Sequence, residues 1–371
     1  MKTLLIIIYS LITTISSIAQ NIDSLSIKVG QMLLVGFPGP DVDAKLLEEI
    51  KEGKIGSIIL FEKNVPKTTS AFAPLKKIIW TYQKASPIPL FVCIDQEGGK
   101  VNRLKDKYGF TRTISAQDMG KDPTLDSVTF YSEATATTLA GLGINVNFAP
   151  VVDLGINKNN PVIYKAGRAF SADPDSVALF AEAYIKPHHH FGIITVLKHF
   201  PGHGSSEADS HLGVADVSKT WTDKELLPYK KLFKIGCVDA VMSAHIVNRQ
   251  IDKDAYPGTL SAKMIGGLLR KKMGFDGVVF SDDMQMQAIA DHYQIEEVIK
   301  RSINAGIDIL CFSNNIDGSQ KRTVDLVHGL IKNMVLNGEI SMDRINESYK
   351  RIMKLKTKYL NDMNYRNGQS K

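Results

Sequence analysis

Two adjacent carboxylates, Asp282 and Asp283, close the apolar run Val278-Val279-Phe280-Ser281, and far upstream Lys198-His199-Phe200-Pro201-Gly202-His203-Gly204 leads into Glu207, Asp209 and His211. Histidine titrates near neutrality, and a carboxylate two residues away in a bent loop can orient its ring, so Asp209 and His211 suit an acid/base pair. His and Asp are also common zinc ligands, but no H-E-x-x-H or C-x-x-C spacing accompanies them and Lys198 adds positive charge, so neither a metal nor another cofactor is expected. A purely structural plug is the alternative for this loop. The run His188-His189-His190 falls on a helical segment, where successive side chains point about 100° apart and cannot face one metal, so these histidines are expected at a cap or in solvent. Adjacent residues on an extended segment project to opposite sides, which allows one of Asp282 and Asp283 to face a pocket. Asp282 is the choice, with Asp283 capping the next helix or touching the pocket wall. A carboxylate facing a proton donor across a polar pocket is the minimum apparatus of a retaining glycosidase.

Two further stretches carry groups that suit a sugar. Asp95-Gln96-Glu97-Gly98-Gly99-Lys100-Val101-Asn102-Arg103 combines carboxylates and amides that bond hydroxyls in pairs, with glycines that allow close backbone approach. Arg168, in Gly167-Arg168-Ala169-Phe170-Ser171, offers a rigid fork of donors. Either stretch also suits a surface turn, although Asp95 directly follows an apolar run.

The elements that must position these groups alternate along the chain. Apolar, β-rich runs occur at Gln31 to Phe37, Ile55 to Phe61, Leu90 to Ile94, Ile144 to Val152, Ile193 to Phe200, Ala240 to His245, Gly277 to Ser281 and Ile307 to Phe312. Helical periodicity marks Val42 to Glu52, Thr69 to Lys84, Ser127 to Leu142, Pro174 to Tyr184, Asp223 to Ile235, Ser261 to Met273 and Ile295 to Ala305. Runs apolar on both faces fit parallel strands covered by helices. The pattern predicts an α/β fold, a single-domain (β/α)8 TIM-type barrel over 20–360, with a doubly wound open sheet as the rival. Polar residues recur at the strand ends: Asp95 and Gln96, Asp153, Lys198 and His199, His245 and Asn248, Asp282 and Asp283. In a barrel these positions ring the catalytic face. Ser341 to Lys358 reads as a closing helix, and 361–371 as a polar tail without periodicity.

Composition narrows the function classes. Of 371 residues, 44% are hydrophobic and 23% charged, ordinary globular usage. The 45 basic and 39 acidic residues leave +6, without the clustered charge of a nucleic-acid binder. Cys93, Cys237 and Cys311 sit in separate apolar runs and are expected to be reduced core residues. At the start, Lys2, the apolar stretch Leu4 to Ile12 and Ser17-Ile18-Ala19 have the order of a secretory signal peptide, expected over 1–19, which implies export to the periplasm or the cell exterior. The apolar stretch is too short to span a bilayer, so no stable membrane insertion is expected after cleavage. The oligomeric state is not legible.

Asp95 to Leu104, Lys198 to Gly204 followed by Asp209-Ser210-His211, and Ser281-Asp282-Asp283-Met284 together resemble glycoside hydrolase family 3, in its subgroup of single-barrel β-N-acetylglucosaminidases. The resemblance runs from about Val29 to Asp308. It implies a retaining exo-β-N-acetylglucosaminidase acting on peptidoglycan fragments (muropeptides) or related N-acetylglucosamine-containing glycans. It implies Asp282 as the nucleophile that forms a glycosyl-enzyme, His211 as acid/base with Asp209 as its partner, and Asp95, Arg103, Arg168, Lys198 and His199 as sugar-binding. Lys100 stands where the family more often has arginine, and Ser205-Ser206 where an Asp/Asn-Thr pair is commoner. A histidine acid carries no negative charge once deprotonated, which leaves room for phosphate as the attacking group; a glycoside phosphorylase is therefore the alternative enzyme, and a non-catalytic sugar-binding barrel the alternative outside enzymes.

Overall fold

The structure is a computed structural model that describes residues 24–209, 213–316 and 323–360. The expected leader (1–19), the tail (361–371) and His211 lie outside the described residues. Eight parallel strands close on themselves: β1 (Leu33–Gly36), β2 (Ser57–Leu60), β3 (Phe91–Ile94), β4 (Val146–Asn147), β5 (Ile194–Phe200), β6 (Ala240–Ser243), β7 (Val278–Asp283) and β8 (Ile309–Phe312). Each pairs with the next in sequence, and β8 returns to β1 through Leu33 opposite Leu310. The doubly wound alternative is thereby excluded, since an open sheet has two edges. The barrel strands are buried on both faces because helices cover them outside and side chains such as Phe91, Phe148 and Phe280 fill them inside.

Helices Ala44–Lys51, Phe72–Ala85, Asp126–Leu142, Pro174–His190, Leu227–Ile235, Lys263–Lys272, Ile295–Ala305 and Val324–Leu336 follow the eight strands in turn, and Met342–Leu360 packs last. Seven of these match the helical periods of the sequence. The helix over 324–336 was not among them. Segment Lys263–Lys272 is wider than an α-helix, with bonds such as Gly267 N–H to Ala262 C=O. Chain ends and caps behave locally: Asp173 accepts the N–H of Ser176 ahead of Pro174, and Asp43 accepts that of Leu46.

Two departures bear on the site. The strand expected over 144–152 is two residues long, because Pro150 has no N–H for the ladder and the chain bends toward β5, where Val152 bonds Lys198 C=O. The triple histidine forms the last turn of its helix with His190 exposed, as expected, but His188 is fully buried, and His189 Nε2 meets Asp239 at 2.6 Å. His188 Nε2 accepts from Asn147 Nδ2 at 3.0 Å, which leaves Nδ1 to donate to Tyr184 C=O. No helix among the described residues is long and apolar enough to cross a membrane.

Candidate active site

The carboxyl ends of β2 to β8 surround a cavity of about 500 Å³. Asp95, Glu97, Arg103, Arg168, Lys198, His199, Asp209, Asp282 and Asp283 all line it, over a floor that includes Phe148 and Met242. The described residues expected in catalysis or sugar binding are therefore in one place, whereas Gln96, Asp153, His245 and Asn248, expected on the same face, are buried and do not line the cavity.

Charged groups on the β3 and β5 side form a single bonded cluster. Lys198 Nζ donates to Asp95 Oδ1 at 2.7 Å and lies 2.6 Å from Glu97 Oε1. Arg168 grips Glu97 with two parallel bonds of 2.8 Å, the geometry its planar fork favours. Arg103 lies 3.6 Å from the other oxygen of Asp95 and stacks over Phe61. Burial alone would raise the Glu97 pKa, but Arg168 and Lys198 hold it well below the usual carboxylate range. The cluster is a row of fixed, ionised donors and acceptors, suited to hydroxyl groups that each need both.

His199 is oriented from behind. Its Nδ1 lies 2.6 Å from Asp153 Oδ2, and its Nε2 lies 3.2 Å from Arg168 Nη2. Arginine only donates, so Nε2 accepts and the ring hydrogen sits on Nδ1, facing Asp153. Although burial opposes it, His199 and His203 keep the Asp153 carboxyl below its ordinary value. Lys198 and His199 reach the cavity together at a register slip between β5 and β6, and the peptide between them is cis.

Asp282 and Asp283 both line the cavity as well, Asp283 at its wall. Two residues of β8 span three of β7 (Ile309 opposite Phe280, Cys311 opposite Asp283), so an extra residue breaks the alternation. Ser281 Oγ takes the Cys311 N–H at 2.9 Å in place of a ladder bond. Asp283 is committed to structure: it accepts from Ser313 Oγ, Ser313 N–H and Gln285 N–H. Burial nevertheless pushes it up to about 6. Asp282 Oδ1 accepts the N–H of Asp283 at 2.8 Å, which fixes its carboxylate over the cavity.

The loop after β5 delivers Asp209 to the same cavity. Asp153 Oδ1 takes the His203 N–H at 2.7 Å, and Asn160 donates to the carbonyls of His203 and Gly204. Glycine is required at 204, where a Cβ would sit 2.1 Å from the Leu154 carbonyl oxygen. Lys100, the departure noted beside the glycine pair, turns outward to the Lys165 carbonyl. Two residues that shape the site were not singled out from sequence. Glu97, which lines the cavity, stands in the Asp95 to Arg103 stretch without a role of its own, and Asp153, buried behind His199, is marked only as a strand-end polar group. Both carried the signal that marked Asp95, a carboxylate just past an apolar run.

The pattern described as the glycosyl hydrolase family 3 N terminal domain matches residues 24–355. The chain belongs to glycosyl hydrolase family 3. A beta-hexosaminidase of Tolumonas auensis is 32% identical over 290 residues, 77% of this chain and 84% of that relative. Beta-hexosaminidase A of Pseudoalteromonas piscicida is 33% identical over 334 residues, 85% of this family 3 chain but 55% of the relative. Among solved structures, a family 3 β-N-acetylglucosaminidase from Paenibacillus sp. str. FPU-7 superposes with a TM-score of 0.81 at 32% identity, covering 90% of this chain and 62% of that one. The β-N-acetylhexosaminidase from Beutenbergia cavernae gives 0.78 at 26% identity, covering 90% and 98%. This family 3 barrel thus spans nearly all of some relatives and about half to two thirds of others.

Proposed function

We propose that the chain is a retaining exo-β-N-acetylglucosaminidase that removes terminal β-linked N-acetylglucosamine from peptidoglycan fragments or related oligosaccharides. The observation that carries this is the meeting of Asp282, at the end of β7, and Asp209, on the loop after β5, in one cavity beside the Asp95–Lys198–Glu97–Arg168 cluster. The names of the matched relatives support the choice of sugar.

In this account the cluster and His199 hold the sugar hydroxyls and orient the anomeric carbon toward Asp282. The Asp282 carboxylate attacks that carbon while His211, oriented by Asp209, gives its proton to the departing oxygen. The C–O bond to the leaving group breaks as the aspartyl ester forms. His211 then takes a proton from water, which attacks the same carbon and releases the sugar with its configuration retained. Lys2, Leu4 to Ile12 and Ser17-Ile18-Ala19 support an enzyme that works after export.

The test is hydrolysis of aryl and alkyl N-acetyl-β-glucosaminides by the full chain. His211→Ala is expected to lower kcat/KM by about 10²-fold or more for alkyl leaving groups and far less for nitrophenolate, which departs unprotonated. Equal losses would contradict the acid role. A rate that requires phosphate and yields a sugar 1-phosphate would replace hydrolysis with phosphorolysis.

A further inference from the structure

Glu225 takes no part in the chemistry above, yet it is 1% exposed and lies directly against the turn that carries the histidine motif. It sits on the single turn Asp223–Leu226. Its Oε2 accepts the N–H of Gly204 at 2.8 Å. A Cβ at Gly202, whose φ is +118°, would meet the Glu225 Cβ at 2.5 Å, so turn and side chain fit without a spare atom. Trp221 Nε1, nearby, holds the Pro201 carbonyl at 3.1 Å. On the other side of the turn, Asp153 takes the N–H of His203 with one oxygen and His199 Nδ1 with the other. From Asp153 the bonds continue without a break through His199, Arg168, Glu97 and Lys198 to Asp95.

We propose that Glu225 is a positioning residue for proton transfer to the leaving group, fixing the Gly202–Ser205 turn and so coupling the placement of Asp209 to the sugar-binding cluster. The proposal rests on the glycosidase activity put forward above. Two titratable groups act on Glu225, Asp153 from the segment after β4 and Tyr229 from the following helix, and a third, His203, lies between the two glycines of the turn. Asp153 is held ionised by His199 and His203, burial keeps Tyr229 well above its ordinary value, and burial pushes His203 down to about 4. Glu225 is the member of this group poised to titrate near neutrality: burial pushes it up to about 7 against the Ser205 and Gly204 donors, with the Asp153 charge adding to the rise. An ionised acceptor holds an N–H roughly twice as strongly as a neutral one. The clamp on Gly204 therefore tightens as pH rises through this range.

The full chain, E225Q and E225D are to be compared on a 4-nitrophenyl and an alkyl N-acetyl-β-glucosaminide from about pH 5 to about pH 9, reading kcat/KM. E225Q, a neutral isostere, is expected to lower kcat/KM about tenfold on the alkyl substrate above neutrality and less than about twofold on the nitrophenyl one. It should also remove a rise near pH 7 shown by the wild type on the alkyl substrate. E225D, which withdraws the charge by one methylene, is expected to give the same substrate-selective loss while keeping a pH-dependent rise, and carries the comparison if E225Q does not fold. Equal losses on both substrates, or an unchanged rise in E225Q, would overturn the positioning role. A wild-type chain inactive on both substrates would overturn the glycosidase activity itself.

Discussion

At Glu97 one carboxylate serves two cations, and this sharing sets the shape of the pocket. Arg168 and Lys198 each lie within 2.8 Å of it, and all three are buried or nearly so. Removing the charge from one partner of such a set leaves the others uncompensated, typically at a cost of about 3 kcal/mol or more. Glu97→Gln is therefore expected to lower the unfolding free energy by roughly that amount and to raise KM at least about tenfold, since Lys198 and Arg168 lose their fixed directions. Urea unfolding and steady-state kinetics check the two effects. The individual roles were unevenly legible in the sequence. Asp95, Lys198, His199 and Arg168 stood in motifs or at strand ends. Glu97 was hidden because its value lies in partners about 71 and 101 residues away, a pairing that only the closed barrel creates.

Among elements, the joint between β4 and the helix Pro174–His190 supports the cavity from outside. His188 on that helix bonds Asn147, and Asn147 Oδ1 takes the N–H of Gln96, next to Asp95. Gln96 in turn accepts the N–H groups of Arg103 and Leu104. Burial pushes His188 down to about 3, whereas an unfolded histidine titrates near 6.5. The folded state thus favours the neutral ring, so this contribution is complete above about pH 6.5 and is lost as pH falls toward about 3. The wild type should lose about 1.4 kcal/mol per pH unit relative to His188→Gln between about pH 6 and about pH 4. Parallel denaturant titrations of the two proteins check this; a constant difference across that range would contradict it. The helix itself was legible from its period and its Asp173-Pro174 start. The burial of His188 was not, because a polar run at a helix end looks like a solvated one until Asn147 is placed opposite it.

The whole molecule is a barrel closed at its amino end by one carboxylate. Asp308, just ahead of β8, accepts from Arg270 at 2.6 Å, Ser348 at 2.7 Å, Arg344 at 3.0 Å and Arg351 at 3.5 Å, and from the Val279 N–H at 3.0 Å. It ties β7, β8 and the last helix, Met342–Leu360, together. Asp308→Asn is expected to cost about 4 kcal/mol, seen as a lower denaturant midpoint, while kcat of the folded enzyme stays within about twofold because the site lies at the opposite end. The barrel was legible because eight apolar runs alternate with helical periods; the Asp308 knot was not, since its five partners stand upstream at Arg270 and Val279 and downstream on the last helix, and only closure of the barrel brings the two groups together. The same closure brings β7 and the loop after β5 to one cavity, on which the central claim depends. Intact-protein mass spectrometry during turnover of a slow 5-fluoro N-acetylglucosaminide, with peptide mapping, tests that claim most directly. One added glycosyl group is expected on Asp282, absent from Asp282→Asn; an active enzyme with no adduct, or with the adduct on another residue, would rule out Asp282 as the nucleophile.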